Sequence, residues 1–84
     1  MMIWITDAQT LPDYRLRVCF SDGSEGEVDL KEFIETDPRP IVNALRDRST
    51  FSAIRVEMDT VVWENGFDLA PEFLRALAKP RVLA

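Results

Sequence analysis

The chain has 84 residues, 46% of them hydrophobic and 30% charged, which makes one small domain with a modest core and leaves no room for a second. Its 10 basic against 15 acidic residues give a formal charge of -5, a field that repels phosphate backbones, so direct nucleic-acid binding is not expected. A single cysteine and no histidine rule out an internal disulfide and the usual zinc ligand sets, and no apolar run nears the roughly 20 residues that cross a bilayer. The opening Met1-Met2-Ile3-Trp4 lacks the basic region of a signal peptide, so the reading is a cytoplasmic protein that does not enter a membrane.

In chain order, residues 2–6 read as a first strand with Ile3 and Ile5 on one side and Trp4 on the other; two occupied faces suggest an inner or covered position. In residues 14–20, Tyr14, Leu16, Val18 and Phe20 alternate with Arg15, Arg17 and Cys19, the period of a half-buried strand. Asp22-Gly23 then turns the chain into a partner strand ending near Leu30. A two-residue loop would set Phe20, Val18 and Leu16 against Glu25, Glu27 and Asp29. The slipped register matches apolar to apolar instead: Phe20 with Gly26, Val18 with Val28 and Leu16 with Leu30, leaving Arg17 across from Asp29.

Residues 30–35, with Phe33 and Ile34, form a short helical turn. Asp37-Pro38-Arg39-Pro40 breaks it, and Ile41, Val42 and Leu45 resume helical spacing. Ile54, Val56 and Met58 alternate with Arg55 and Glu57, and a two-residue loop at Asp59-Thr60 pairs Met58 with Val61 and Val56 with Trp63 inside; Thr60 resists positive φ, which loosens that turn. Pro71 opens a last helix with Ala70 as a weak cap, Glu72 in its first turn, Lys79 in its last and Pro80 as its stop. The expected fold is α+β: one domain over residues 1–84, a small antiparallel sheet with helices on one face, in the order β-β-β-α-β-β-α.

The segments YRLRVCFSDG (residues 14–23), VDL (28–30), Phe51 ahead of the strand at 54–58, and VWENGFDLAPE (62–72) together resemble a bacterial family known as domain of unknown function 2442 (DUF2442). The order and spacing of the pieces carry the resemblance, which runs over nearly the whole chain. It implies three strands, a helix, two strands and a final helix, in agreement with the residue pattern, and it implies no activity. Some members are fused to a helix-turn-helix DNA-binding domain, and others look like neighbours of another small domain in operons of toxin–antitoxin type. The chain ends at Ala84, so no such DNA-binding domain is expected here. Ala70 departs from the family's polar cap, which implies a less sharply started last helix.

No set of residues reads as catalytic. Cys19 faces away from the core with Glu27 across from it and no histidine to act as base, and Ser21 and Ser24 lack the same partner. Strand alternation sends Glu25, Glu27 and Asp29 out in a row, so with Asp22 they make a solvated face, not a cation site. No enzyme activity, metal or cofactor is expected. In residues 63–69, Asn65-Gly66 supplies positive φ and Asp68 can accept backbone N–H groups, so turn chemistry accounts for every polar residue. The alternative is functional: Trp4, Val62, Trp63 and Phe67 as an exposed apolar surface of the kind that interfaces favour. Residues 20–37 hold seven acids against Lys31, which favours a basic partner. The leading expectation is a non-enzymatic protein-interaction module whose partner is another small protein, or a second copy docking through Trp4 and Val62. The second is a component of a DNA-binding regulator, touching DNA only through a partner or through a basic tail of Arg75, Lys79 and Arg81.

Overall fold

Alternation in residues 15–20 sends Leu16, Val18 and Phe20 to a buried face, and the same period in the next strand buries Gly26 and Val28 against them. The computed structural model describes residues 2–80. In order these form β1 (Ile5–Leu11), β2 (Arg15–Phe20), β3 (Glu25–Asp29), α1 (Lys31–Thr36), α2 (Pro40–Asn43), a 3-10 turn (Ala44–Arg46), α3 (Arg48–Ser52), β4 (Ile54–Glu57), β5 (Thr60–Trp63), β6 (Asp68–Leu69), α4 (Pro71–Leu77) and β7 (Lys79–Pro80). The fold is α+β, and the expected β-β-β-α-β-β-α order is its skeleton. The strands form two antiparallel sheets in place of one, ordered β1-β2-β3-β7 and β4-β5-β6.

Both hairpins keep the expected alternation and shift the expected register by two residues, and Val56, expected inside, lies exposed toward the end of its strand. Val18 pairs with Gly26 and Leu16 with Val28, not with Val28 and Leu30, and Arg17 lies across from Glu27, not Asp29. The loop is Ser21-Asp22-Gly23: the Phe20 N–H donates to the Ser24 carbonyl (2.9 Å), the Gly23 N–H to that of Phe20 (3.0 Å), and Gly23 takes φ +86. Glycine at the third loop position, where left-handed backbone is required, chooses this closure over the neighbouring ones. In the second hairpin Val56 pairs with Val61 and Ile54 with Trp63, and the turn falls on Met58-Asp59, both at positive φ (50 and 68). Thr60 thereby keeps an extended backbone, and Met58 leaves the interior where the expected pairing had placed it.

The N-terminal strand runs Ile5–Leu11, later than expected, with a bulge between Ile5 and Asp7; it is the terminal strand of its ladder, not an inner one. Ile5 is buried, Ile3 packs on the core edge and Trp4 points out, as alternation requires. At the other end α4 stops at Leu77. Ala78 turns extended, and Lys79–Pro80 pairs with β3 opposite Glu27 and Gly26. Lys79 is therefore not in a helical last turn. Gly26 makes this docking possible: a Cβ there would lie 2.8 Å from Ala78 Cβ and 3.3 Å from the Lys79 carbonyl.

One core joins both sheets and the helices, containing Ile5, Leu16, Val18, Val28, Leu30, Ile34, Val42, Leu45, Trp63 and Leu74. Asp47 caps α3, its carboxylate accepting the Ser49 and Thr50 N–H groups (2.9 and 3.1 Å), and this orients Phe51 inward. Ala70 gives α4 no side-chain cap. No helix among the described residues is long and apolar enough to cross a membrane.

Candidate interaction surface

The two sheets meet where the Ile5 N–H donates to the Asp59 carbonyl (2.8 Å), which sets the Met58-Asp59 turn against the start of β1. Ser21 fixes the same segment from the other side, its N–H donating to the Trp4 carbonyl (2.9 Å) and its hydroxyl accepting from the Trp4 N–H (3.3 Å). Around this joint lie the most exposed large apolar side chains among the described residues: Met58 is 91% exposed, Met2 83% and Trp4 44%. Burial of such side chains contributes about 1.5–3 kcal/mol each, and folding alone leaves that contribution unused here.

The sequence-predicted surface does not assemble as one patch. Trp4 is exposed and Val62 half-buried on β5, but Trp63 is 0% exposed and Phe67 7%. Trp63 is core because its indole N–H donates to the Phe51 carbonyl (2.8 Å), and its ring lies among those of Phe51 and Phe67 at 6.0 and 5.8 Å between centroids. The turn explanation of this segment is the one the structure bears out. The Trp63 N–H donates to the Phe67 carbonyl (2.8 Å), Gly66 takes φ +91, and Asn65 Oδ1 accepts the Phe67 N–H (3.0 Å), in the part foreseen for Asp68.

The basic tail is also dispersed. Arg75 turns inward over the Phe20 ring (4.8 Å) and pairs with Asp22 (3.2 Å), while Lys79 sits on β7, so the two share no helical face. Arg81 lies outside the described residues. Elsewhere arginine meets carboxylate on the open face of the first sheet. Arg15 reaches Glu27 and Arg17 reaches Glu25, both at 2.6 Å and both one diagonal step from the residue directly opposite. The Cys19 thiol shares that face, across from Glu25 and not from Glu27 as expected. No group of three or more candidate metal ligands occurs among the described residues.

Three carboxylates are held below their ordinary range by hydrogen bonds. Asp22 is lowered by the Ser24 hydroxyl and N–H and then by Arg75, Asp37 by the Arg39 guanidinium and N–H, and Asp47 by the Ser49 hydroxyl and the Thr50 and Ser49 N–H groups. All three close local turns or caps, which is the work of structural acids.

Sequence reading missed a cavity of about 360 Å³ between the β1–β2 loop and α3, with Tyr14 and Arg48 in its lining. Asp47 followed by Ser49-Thr50 is a legible helix start and could have located α3; nothing in the pattern marks the cavity itself.

No curated protein matches the chain. Among solved structures the fold resembles that of "Putative DNA Binding Protein NE0471" from Nitrosomonas europaea, with a TM-score of 0.72 at 21% identity. The match covers 94% of this chain and 50% of that one, so the chain spans about half the length of its structural relative. The family model described as "Protein of unknown function (DUF2442)" matches residues 5–80, which contain both sheets and all four helices, and the chain belongs to that family.

Proposed function

We propose that the domain is a non-enzymatic protein-interaction module whose contact surface is the joint between its sheets. The observation that carries this reading is the exposure of Met58 and Trp4 on segments tied together by the Ile5–Asp59 hydrogen bond. Met58 also holds a positive φ of 50, a strained backbone that folding alone would not favour at an exposed position. Four of the seven acids in residues 20–37 are paired with arginines, but the formal charge of -5 still favours a small basic partner, of the toxin–antitoxin kind or another, and the single thiol fits a reducing cytoplasm. The test is affinity capture from native lysate with the parent chain and with a Trp4→Ser/Met58→Ser double variant. A protein retained by the parent and lost by the variant is the expected result, and equal retention by both overturns the reading. Sedimentation equilibrium of the same pair asks whether the partner is a second copy.

A second reading has one observation in its favour: half of a protein named as a putative DNA-binding protein has this fold. In that case the domain is the non-DNA-contacting part of a regulator. Five of the described arginines are paired with carboxylates, which leaves few cations for phosphate. Fluorescence anisotropy with a labelled duplex should show weak binding with a log–log salt slope no steeper than about -3. Submicromolar, sequence-selective binding by this chain would reverse the order of the two readings.

A further inference from the structure

The cavity between the β1–β2 loop and α3 stands apart from the sheet joint in chemistry. Its apolar wall comes from Leu11, Pro12, Tyr14 and Phe51, the last two rings meeting edge to face at 5.3 Å. Three of its polar side chains, Thr10, Asp13 and Arg48, make no side-chain hydrogen bond within the described residues. For Arg48 this is exceptional. Arg15, Arg17, Arg39, Arg55 and Arg75 all reach carboxylates, and Arg46 donates to the Glu35 carbonyl (3.0 Å), so Arg48 is the one described arginine whose guanidinium is unengaged.

The wall is held in place at a conformational cost. Asp13 and Tyr14 take consecutive left-handed conformations, φ 64 and 59, which for tyrosine is an outlier that persists only where surroundings over-determine it. Those surroundings are visible: the Tyr14 hydroxyl donates to the Arg46 carbonyl, its own carbonyl accepts the Leu30 N–H (2.9 Å), and its ring abuts Phe51. The cavity is thus preformed and open to solvent on one side, at the small end of the range for small-molecule sites, with a mixed polar and apolar lining that includes two aromatic rings and one unengaged cation.

We propose that this cavity binds a small organic monoanion: a carboxylate on a flat apolar body, the carboxylate meeting Arg48 and the body lying against Tyr14 and Phe51. Guanidinium pairs with carboxylate through two parallel N–H donors, which selects a planar anion. Asp13 on the same lining repels negative charge, so each further charge on the ligand weakens binding and dianions and phosphates are disfavoured against a monoanion. This inference is independent of the interaction reading, because it uses none of the residues at the sheet joint.

The test is a nitrogen-15 NMR titration of the full chain with benzoate, benzamide and inorganic phosphate. Benzoate should give saturable shifts at the amides of Thr10, Tyr14, Phe51 and Ser52. Benzamide, its neutral counterpart, should bind at least tenfold more weakly, and phosphate should not displace benzoate. Arg48→Gln should lower benzoate affinity by at least tenfold, Arg55→Gln should leave it unchanged, and Asp13→Asn should raise it. Arg48 is exposed and its guanidinium makes no hydrogen bond or ion pair among the described residues, so the exchange should leave the fold intact. The benzoate–benzamide comparison on the parent chain also decides the matter without any variant. Absent shifts at the cavity, equal binding of benzamide, displacement by phosphate, or an Arg48→Gln chain that binds as well as the parent would each overturn the proposal.

Discussion

Two loops in this molecule are the same loop. Residues 20–24 and residues 63–67 each close with the backbone N–H of an aromatic residue donating to the carbonyl four residues on, a glycine at φ +86 or +91, and an Asp or Asn Oδ1 accepting the N–H two residues later (2.9 and 3.0 Å). Each also sets an arginine over an aromatic ring: Arg75, paired with Asp22, over Phe20 at 4.8 Å, and Arg39, paired with Asp37, over Phe67 at 5.5 Å. The difference lies in what the side chain before the glycine does with its second atom. Asp22 Oδ2 accepts from Arg75 on α4, whereas Asn65 Nδ2 donates to the Ile41 carbonyl on α2 (3.1 Å). One turn geometry therefore ties two different helices to the sheets, by a charged link in one case and a neutral link in the other.

The largest asymmetry should come from the aromatic residue that opens each loop. Trp63→Ala should cost about 3–5 kcal/mol in urea denaturation. Phe20→Ala should fall at the lower end of that range, because it leaves no carbonyl without its donor. If the two cost the same, the Trp63 bond to the Phe51 carbonyl adds nothing to that loop. The glycines test what the loops share. Gly23→Ala and Gly66→Ala should each cost about 1–2 kcal/mol, and equally, since nothing lies within 4 Å of either Cβ position and only the left-handed backbone is at stake. Unequal costs would break the equivalence of the loops.

Smaller effects separate the two links. Asn65→Asp keeps the Oδ1 acceptor and turns a donor toward Ile41 into a repelling oxygen, a loss of about 0.5–1.5 kcal/mol. Asp22→Asn keeps its acceptor and loses only an exposed ion pair, so it should be the milder exchange in the same denaturation series. It should also change the acid limb of stability. The folded Asp22 carboxyl titrates below its unfolded value of about 3.9, so its contribution is complete above that pH and is lost as pH falls through the lower folded value. Asp22→Asn should flatten stability against pH in that window without abolishing the slope, since Asp37 and Asp47 are lowered as well. An unchanged slope would show that Asp22 is not engaged in solution.

The strand faces were legible in the sequence and the registers were not, for one physical reason. A two-residue slip returns every side chain to its own face, so the apolar match of Val18 to Val28 and that of Leu16 to Val28 satisfy the same pattern. Only turn chemistry breaks the tie. At Gly23 the signal was present in the residue type; at Met58 no residue type announces a positive φ. The expected first strand stopped at Thr6, short of the polar remainder of β1, because Asp7, Gln9 and Thr10 carry no strong alternation. β7 depends on Gly26 receiving Ala78 at close range, a long-range fact that local pattern cannot hold. The expected surface of Trp4, Val62, Trp63 and Phe67 failed where composition was read as exposure, since large aromatics in so small a chain are needed as core.

The Met58-Asp59 turn has a consequence for anyone engineering this domain. Asn-Gly occupies such a turn with little strain, and replacing Met58-Asp59 by that pair should raise stability by about 1 kcal/mol while removing the most exposed apolar side chain described. Thermostability and surface stickiness are thus set by the same two positions, and a library that selects only for heat resistance will strip the joint of its exposed methionine.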